Sequence, residues 1–144
     1  MTSPSTRPVE PSPARPPDVD TGFWLWVVAL PLLAAGYLID NLTSPVGGSS
    51  VFLRGMSIMM LVVVCAIVVT FLLLMRQGYR WSRTVLSAGG FGSIVYTVTN
   101  LFTVERDSAV TAFGYAVAAI LGSVLIAGGL FLLHRKDADA FFTR

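Results

Sequence analysis

One run of residues limits the folds open to this chain more than any other. From Met56 to Met75 no side chain is charged, and twelve of these residues are Leu, Ile, Val or Phe. Moving those twelve into a bilayer is worth roughly −4 to −7 kcal/mol on an insertion scale. Arg54 would cost about 3 kcal/mol at mid-bilayer, but it lies near the end of the run and can reach the aqueous boundary. The run is therefore predicted to cross a membrane as a helix.

The rest of the chain has the same apolar character. Only 12% of the 144 residues are charged, whereas soluble domains carry about 25%. Three further apolar runs are joined by short polar segments, and short connections make successive helices antiparallel. We predict an all-α, four-helix transmembrane bundle in residues 22–135, with spans at about 23–39, 52–75, 84–104 and 109–133.

The two tails differ from the bundle in composition. Six of the eight prolines lie in the first 17 residues, among Ser, Thr and Arg. Such a segment has too little to bury to offset the entropy lost on ordering, so residues 1–21 are predicted to be a disordered tail. Residues 136–144 are predicted to form a second, short tail.

The segment 76–83, here named the arginine loop, lies between the second and third spans and carries three arginines and no acid. If it is cytoplasmic, Lys and Arg divide eight inside to two outside, which agrees with the positive-inside rule. We therefore expect both termini to be cytoplasmic. Arg76, Arg80 and Arg83 are also candidate contacts for anionic lipid head groups, and the alternative is that they serve topology alone.

A polar stripe runs along the third span. Its members are spaced by four, three, four and three residues, so they share one face of a helix: Gly89, Ser93, Tyr96, Asn100 and Thr103. Lipid tails cannot form hydrogen bonds, so this stripe is expected to face protein. Two interpretations stay open, namely helix packing and a polar lining for a small solute or a lipid head group.

Charged residues gather at the outer ends of the spans. Asp40 and Arg54 lie at the same level on the first two spans and are predicted to form an ion pair there. The alternative is an ordinary interfacial rim. The absence of ionisable residues deep in any span argues against a proton-coupled or ion-coupled transporter.

Small residues recur every fourth position on the fourth span. Gly114, Ala118 and Gly122 form one row, and a second row follows at Ala119, Ser123 and Ala127. Small side chains let the backbones of two membrane helices approach closely. We expect one row to pack inside the bundle and the other to serve association.

The sequence contains no motif that indicates catalysis or metal binding. With one cysteine and one histidine, a zinc site built by the chain is not expected, and no catalytic set or phosphate-binding loop is present. We predict no catalytic residues, no cofactor and no metal. The mild net charge of +2 does not suit nucleic acid. The expected partners are the lipid bilayer and another membrane protein or a second copy of this chain.

The block Leu74–Gly90 resembles a family of small four-span membrane proteins of actinobacteria. Members carry an R-x-G-x-x-W-[AS]-R loop followed by a helix start, which match Arg76–Arg83 and Leu86–Gly90 here. They commonly have a proline-rich N-terminal tail and an ending similar to Asp139-Ala140-Phe141-Phe142. Tyr79 departs from the Asn that is common in the family. The resemblance implies an actinobacterial plasma membrane, and it implies no activity and no site residues.

Three functions fit these features. The first is a non-enzymatic accessory or scaffold protein, indicated by the small-residue rows. The second is a small oligomeric transporter or channel that uses the polar stripe. Four-span multidrug transporters rely on an acid inside the first span, and this chain has none between Phe23 and Ile39. The third is an anionic-lipid-binding protein that uses the arginine loop.

Overall fold

The computed structural model describes residues 14–43 and 50–142, apart from the side chain of Asp137. Every regular element within those ranges is a helix: α1 Pro17–Thr43, α2 Val51–Arg76, α3 Arg80–Thr103, α4 Ala109–Leu133 and α5 Lys136–Asp139. The helices α1 to α4 are each long and apolar enough to cross a membrane. The prediction of an all-α architecture with four such helices is confirmed.

The first helix begins before the predicted span. Residues 1–13 of the predicted disordered tail lie outside the described residues, but residues 17–21 are helical, so the predicted boundary of the tail was wrong. Pro17 suits a first helical position because its missing N–H needs no partner there. Asp18 and Asp20 lie in the first turn, where a negative charge complements the helix dipole. The helix then continues through Pro31.

A tight turn joins α2 to α3 inside the arginine loop. The N–H groups of Gly78 and Tyr79 donate to the carbonyl groups of Met75 and Leu74, at 3.0 and 3.3 Å. Gly78 has φ +90°, a conformation that a residue with a side chain rarely adopts. A Cβ there would also lie 3.3 Å from the carbonyl oxygen of Phe141. The turn therefore needs glycine for its backbone conformation, and the C-terminal segment lies directly against it.

The four long helices form a ring in which each contacts the two next to it. The closest pair is α1 and α4, while α2 contacts α1 and α3. Of the residues in α2, only Leu72 and Met75 are buried. α2 is therefore the most peripheral helix of the bundle.

One of the two small-residue rows was expected to pack inside the bundle, and the first row does so, against α1. A Cβ on Gly122 would lie 2.6 Å from Cδ2 of Leu33, and one on Gly36 would lie 3.4 Å from Cβ of Ala118. At Gly114 a Cβ would meet Ile39 at 3.5 Å. The second row does not form a continuous face, because its members are in turn buried, half-buried and exposed: Ala119, Ser123 and Ala127.

The apolar core lies at the arginine-loop end of the bundle. It joins the start of α1 to the end of α2, the start of α3 and the end of α4, through residues such as Phe23, Met75, Leu86 and Leu133. Trp26 is 4% exposed. Its indole lies against Gly90 of α3 and Gly129 of α4, at both of which a Cβ would approach within 2.6 Å. These two glycines therefore make the space that the indole occupies.

The C-terminal segment is part of this core. Ala138 is fully buried and Phe142 is 1% exposed. The prediction that residues 136–144 form a tail was therefore wrong for residues 136–142, because the aromatic ring has an apolar surface to cover at the end of the bundle.

Candidate functional site

A polar cluster lies at the end of the bundle opposite the arginine loop. Arg106, in the turn between α3 and α4, donates from Nε to Oδ1 of Asp40 at 2.8 Å and from Nη2 to Oδ2 at 3.0 Å. Asn100 donates from Nδ2 to the same Oδ2 at 3.0 Å. Both oxygens of one carboxylate are thus engaged by groups from α3 and from the turn that follows it.

This ion pair is well shielded. The side chain of Arg106 is 6% exposed and that of Asp40 is 19% exposed. The guanidinium carbon of Arg106 lies 3.7 Å from the centre of the Tyr115 ring, within the range of a cation–π contact. Nη1 also donates to the carbonyl of Val104 at 3.1 Å. The pair therefore ties the end of α1 to α3 and α4 through charge, hydrogen bonds and stacking at once.

The predicted partner of Asp40 was wrong. Arg54 lies half-buried at the start of α2, and among the described residues it forms no ion pair. Arg106 takes the carboxylate because its planar fork matches the two oxygens, and the short α3–α4 turn holds it at the same level as the end of α1. The sequence did place Arg106 at this end of the bundle, but it gave no sign of which arginine faces inward.

A small cavity adjoins the cluster. Its volume is about 40 Å³, and its lining comes from α1, α3 and α4: Leu33, Gly36, Tyr37, Asp40, Tyr96, Thr97, Asn100, Tyr115 and Ala119. A water molecule needs roughly 10–15 Å³ in such a measure, whereas organic ligands occupy pockets of roughly 300–1,000 Å³. The cavity has room for a few waters beside polar groups, and not for an organic solute.

Only part of the predicted polar stripe joins this site. Asn100 bonds to Asp40, and Tyr96 borders the cavity while remaining 59% exposed. A Cβ on Gly89 would meet nothing within 4 Å, Ser93 is half-buried, and the Thr103 hydroxyl donates to the Thr99 carbonyl of its own helix.

The bundle therefore covers only part of the stripe, and for its other members the expectation that they face protein stays a prediction. The buried face of α3 lies to one side of it, at Ser82, Leu86, Gly90 and Thr97. Gly90 belongs to this face because the indole of Trp26 requires a residue without a side chain there.

At the other end, two of the three loop arginines bind groups of this chain. Arg76 donates to Asp20 at 3.1 Å and lies 4.8 Å from the centre of the Phe23 ring. Arg83 pairs with Asp139 and donates to the Leu133 carbonyl at 3.2 Å.

These contacts change what the three arginines offer to lipid. The Arg83 guanidinium lowers the pKa of the Asp139 carboxyl through a hydrogen bond and its charge. Arg80 is exposed and takes part in none of the ion pairs formed by the described residues. Of the three predicted lipid contacts, Arg80 is thus the one whose charge the bundle leaves to its surroundings.

Among the described residues, no three His, Cys, Asp or Glu side chains lie together in a way that could hold a metal ion. Comparison with protein-family models, with curated proteins and with solved structures gave no match.

Proposed function

We propose that this chain is a non-enzymatic accessory or scaffold protein of the plasma membrane that binds another membrane protein or a second copy of itself. Four long apolar helices fit a multi-pass membrane protein. The observation that carries the finer proposal is the outward face of α3, formed by Gly89, Gly92 and Tyr96 and named here the α3 association face.

The α3 association face has the composition of a helix–helix interface, and its two glycines have no neighbour among the described residues of the bundle. A Cβ on Gly89 or Gly92 would meet nothing within 4 Å, and the Tyr96 ring is 59% exposed. Steps of three and four residues keep the three positions within about 100° of one another around the helix. Glycines let a second backbone come close, and a phenol needs a hydrogen-bond partner that lipid tails do not offer.

The size of the internal cavity favours association over transport. A transporter or channel for an organic solute needs a binding volume several times larger than 40 Å³. The small-residue row Gly114–Ala118–Gly122 is already occupied by α1, so it supports the fold rather than a partner. The glycines of the α3 association face meet no such contacts among the described residues, so we propose this face as the surface for a neighbouring helix.

The orientation proposed for the bundle places the arginine loop and both termini in the cytoplasm. Within the described residues, six cations lie at the arginine-loop end: Arg15, Arg76, Arg80, Arg83, Arg135 and Lys136. Arg54 and Arg106 lie at the other end. The positive-inside rule supports this orientation.

Filling the α3 association face tests the proposal. Gly89→Leu and Gly92→Leu should each abolish a cross-linked complex in native membranes and its recovery in mild detergent, because a leucine keeps the second backbone away. Gly55→Leu on α2 is the matched control, since a Cβ there also meets nothing within 4 Å. All three variants should keep the thermal stability of the monomer. Complexes that survive both α3 substitutions would contradict the proposal.

A further inference from the structure

An open groove of about 530 Å³ lies where α4 ends and α5 begins. It is lined by one aromatic residue and three basic ones in close succession: Phe131, His134, Arg135 and Lys136. Phe131 is 70% exposed, while Leu133 next to it in the wall of the bundle is fully buried. The groove thus combines an apolar side, facing along the helix, with a basic rim at the helix end.

The basic groups differ in how far the chain itself uses them. Lys136 is exposed and takes part in none of the ion pairs formed by the described residues. Arg135 donates from Nη1 to Oδ2 of Asp18 at 3.2 Å, yet 49% of its side chain is exposed. His134 Nδ1 lies 2.8 Å from the Leu130 carbonyl, which leaves Nε2 for another partner. Lys136 and the exposed part of Arg135 therefore keep nitrogen donors available to an anion in the groove.

The groove lies at the boundary of the apolar region. α4 is apolar up to Leu133, and the cations follow it at once. In a membrane, Phe131 would lie at the level of the acyl chains and the three basic residues at the level of the head groups. Basic pockets at this level on the cytoplasmic side suit anionic lipid head groups.

We propose that this groove binds the head group of an anionic phospholipid, with Lys136 and Arg135 on the phosphate and Phe131 against the first methylenes of an acyl chain. Phosphate is the shared chemistry of a lipid head group and a free anion, and the exposed aromatic ring is what favours the lipid. Lysine acts on a phosphate as a point charge, and arginine adds directed hydrogen bonds. This site is independent of the α3 association face.

Lipid retention by the intact chain tests the groove. The chain, purified in a neutral detergent, is titrated with phosphatidylglycerol or phosphatidylcholine, and bound lipid is counted by native mass spectrometry. Phosphatidylglycerol should bind and phosphatidylcholine should not compete with it. Lys136→Gln should weaken phosphatidylglycerol binding about fivefold, the effect of one cation near a membrane surface. Arg15→Gln, which removes an exposed cation at the same end but outside the groove lining, should weaken it clearly less.

Two further measurements separate the lipid from a free anion. Phe131→Ala should weaken the binding of phosphatidylglycerol while leaving the binding of inorganic phosphate unchanged. Inorganic phosphate that displaces the lipid at equal concentration would overturn the proposal, because the acyl chain would then add nothing. Equal losses in the Lys136→Gln and Arg15→Gln variants would overturn it too, since they would show a diffuse charge effect without a groove.

Discussion

The indole of Trp26 occupies the space that a side chain on Gly90 would need: a Cβ at Gly90 would lie 2.6 Å from Cη2 of the ring. The neighbouring Gly89 faces open space. Gly90→Ala should therefore lower the stability of the bundle by about 1–3 kcal/mol through overpacking. Gly89→Ala should be neutral, or should raise stability by up to about 1 kcal/mol through helix propensity. Thermal unfolding in detergent, followed by tryptophan fluorescence, compares these adjacent positions. Equal effects would show that the indole lies elsewhere.

Asp40 and Arg106 should behave as a coupled pair. Asp40→Asn or Arg106→Gln alone should cost about 3–5 kcal/mol, because each leaves a shielded charge without its partner. The double variant should lose clearly less than the sum of the two. Arg54→Gln combined with Asp40→Asn is the control and should be additive. Additivity for Asp40 and Arg106, measured by the same unfolding assay, would contradict the geometry.

The contact between Asp139 and Arg83 should make the C-terminal segment sensitive to acid. The pKa of the Asp139 carboxyl in the folded chain is lowered below its ordinary value of 3.8, chiefly by the hydrogen bond from Arg83. The stabilisation is therefore complete above that ordinary value and is lost as the pH falls through the lowered pKa. Limited proteolysis at residues 136–142 should increase below about pH 4. In Asp139→Asn the cleavage rate should already be high at neutral pH and should change little with acid.

Cysteine labelling should reveal the orientation. In a Cys65→Ala background, Gln77→Cys lies in the arginine loop and Asp107→Cys lies in the α3–α4 turn, and both positions are exposed. An impermeant thiol reagent added to intact cells should label the cysteine at position 107 and not the one at position 77. Permeabilised cells serve as the control, because both should then react. The reverse pattern in intact cells would exclude cytoplasmic termini.

The long helices and a closely packing row on α4 could be predicted because they follow from patterns along the chain, whereas the choice of α1 as the partner of that row could not. Runs without charge set the four spans, and the spacing of Gly114, Ala118 and Gly122 predicted a face that packs closely. Helix ends were less predictable. Pro17 begins α1 although the residues before the span are polar, because an N-terminal first turn favours Pro and Asp.

The site was harder to predict because it depends on which side of each helix faces inward. On α3 the polar residues suggested an inward stripe, yet Gly90 faces the core because Trp26 needs its space. The sequence indicated Arg54 as the partner of Asp40, whereas the path of the α3–α4 turn brings Arg106 to the carboxylate instead. The burial of Phe142 was equally hard to predict, because no local pattern shows whether an aromatic C-terminal segment packs back onto the bundle.

The position of the apolar core gives the bundle a mechanical polarity. Its largest fully buried side chains lie at or next to the arginine-loop end: Val19, Leu72, Met75, Leu133 and Phe142. At the opposite end the described helices are joined by the Asp40–Arg106 ion pair, its hydrogen bonds and the contacts of small residues such as Gly36 and Ala118, beside a small cavity. Thermal opening should therefore start at that end, with the arginine-loop end acting as the hinge. Amide hydrogens near Asp40 and Tyr115 should exchange with solvent before those near Met75 and Leu86.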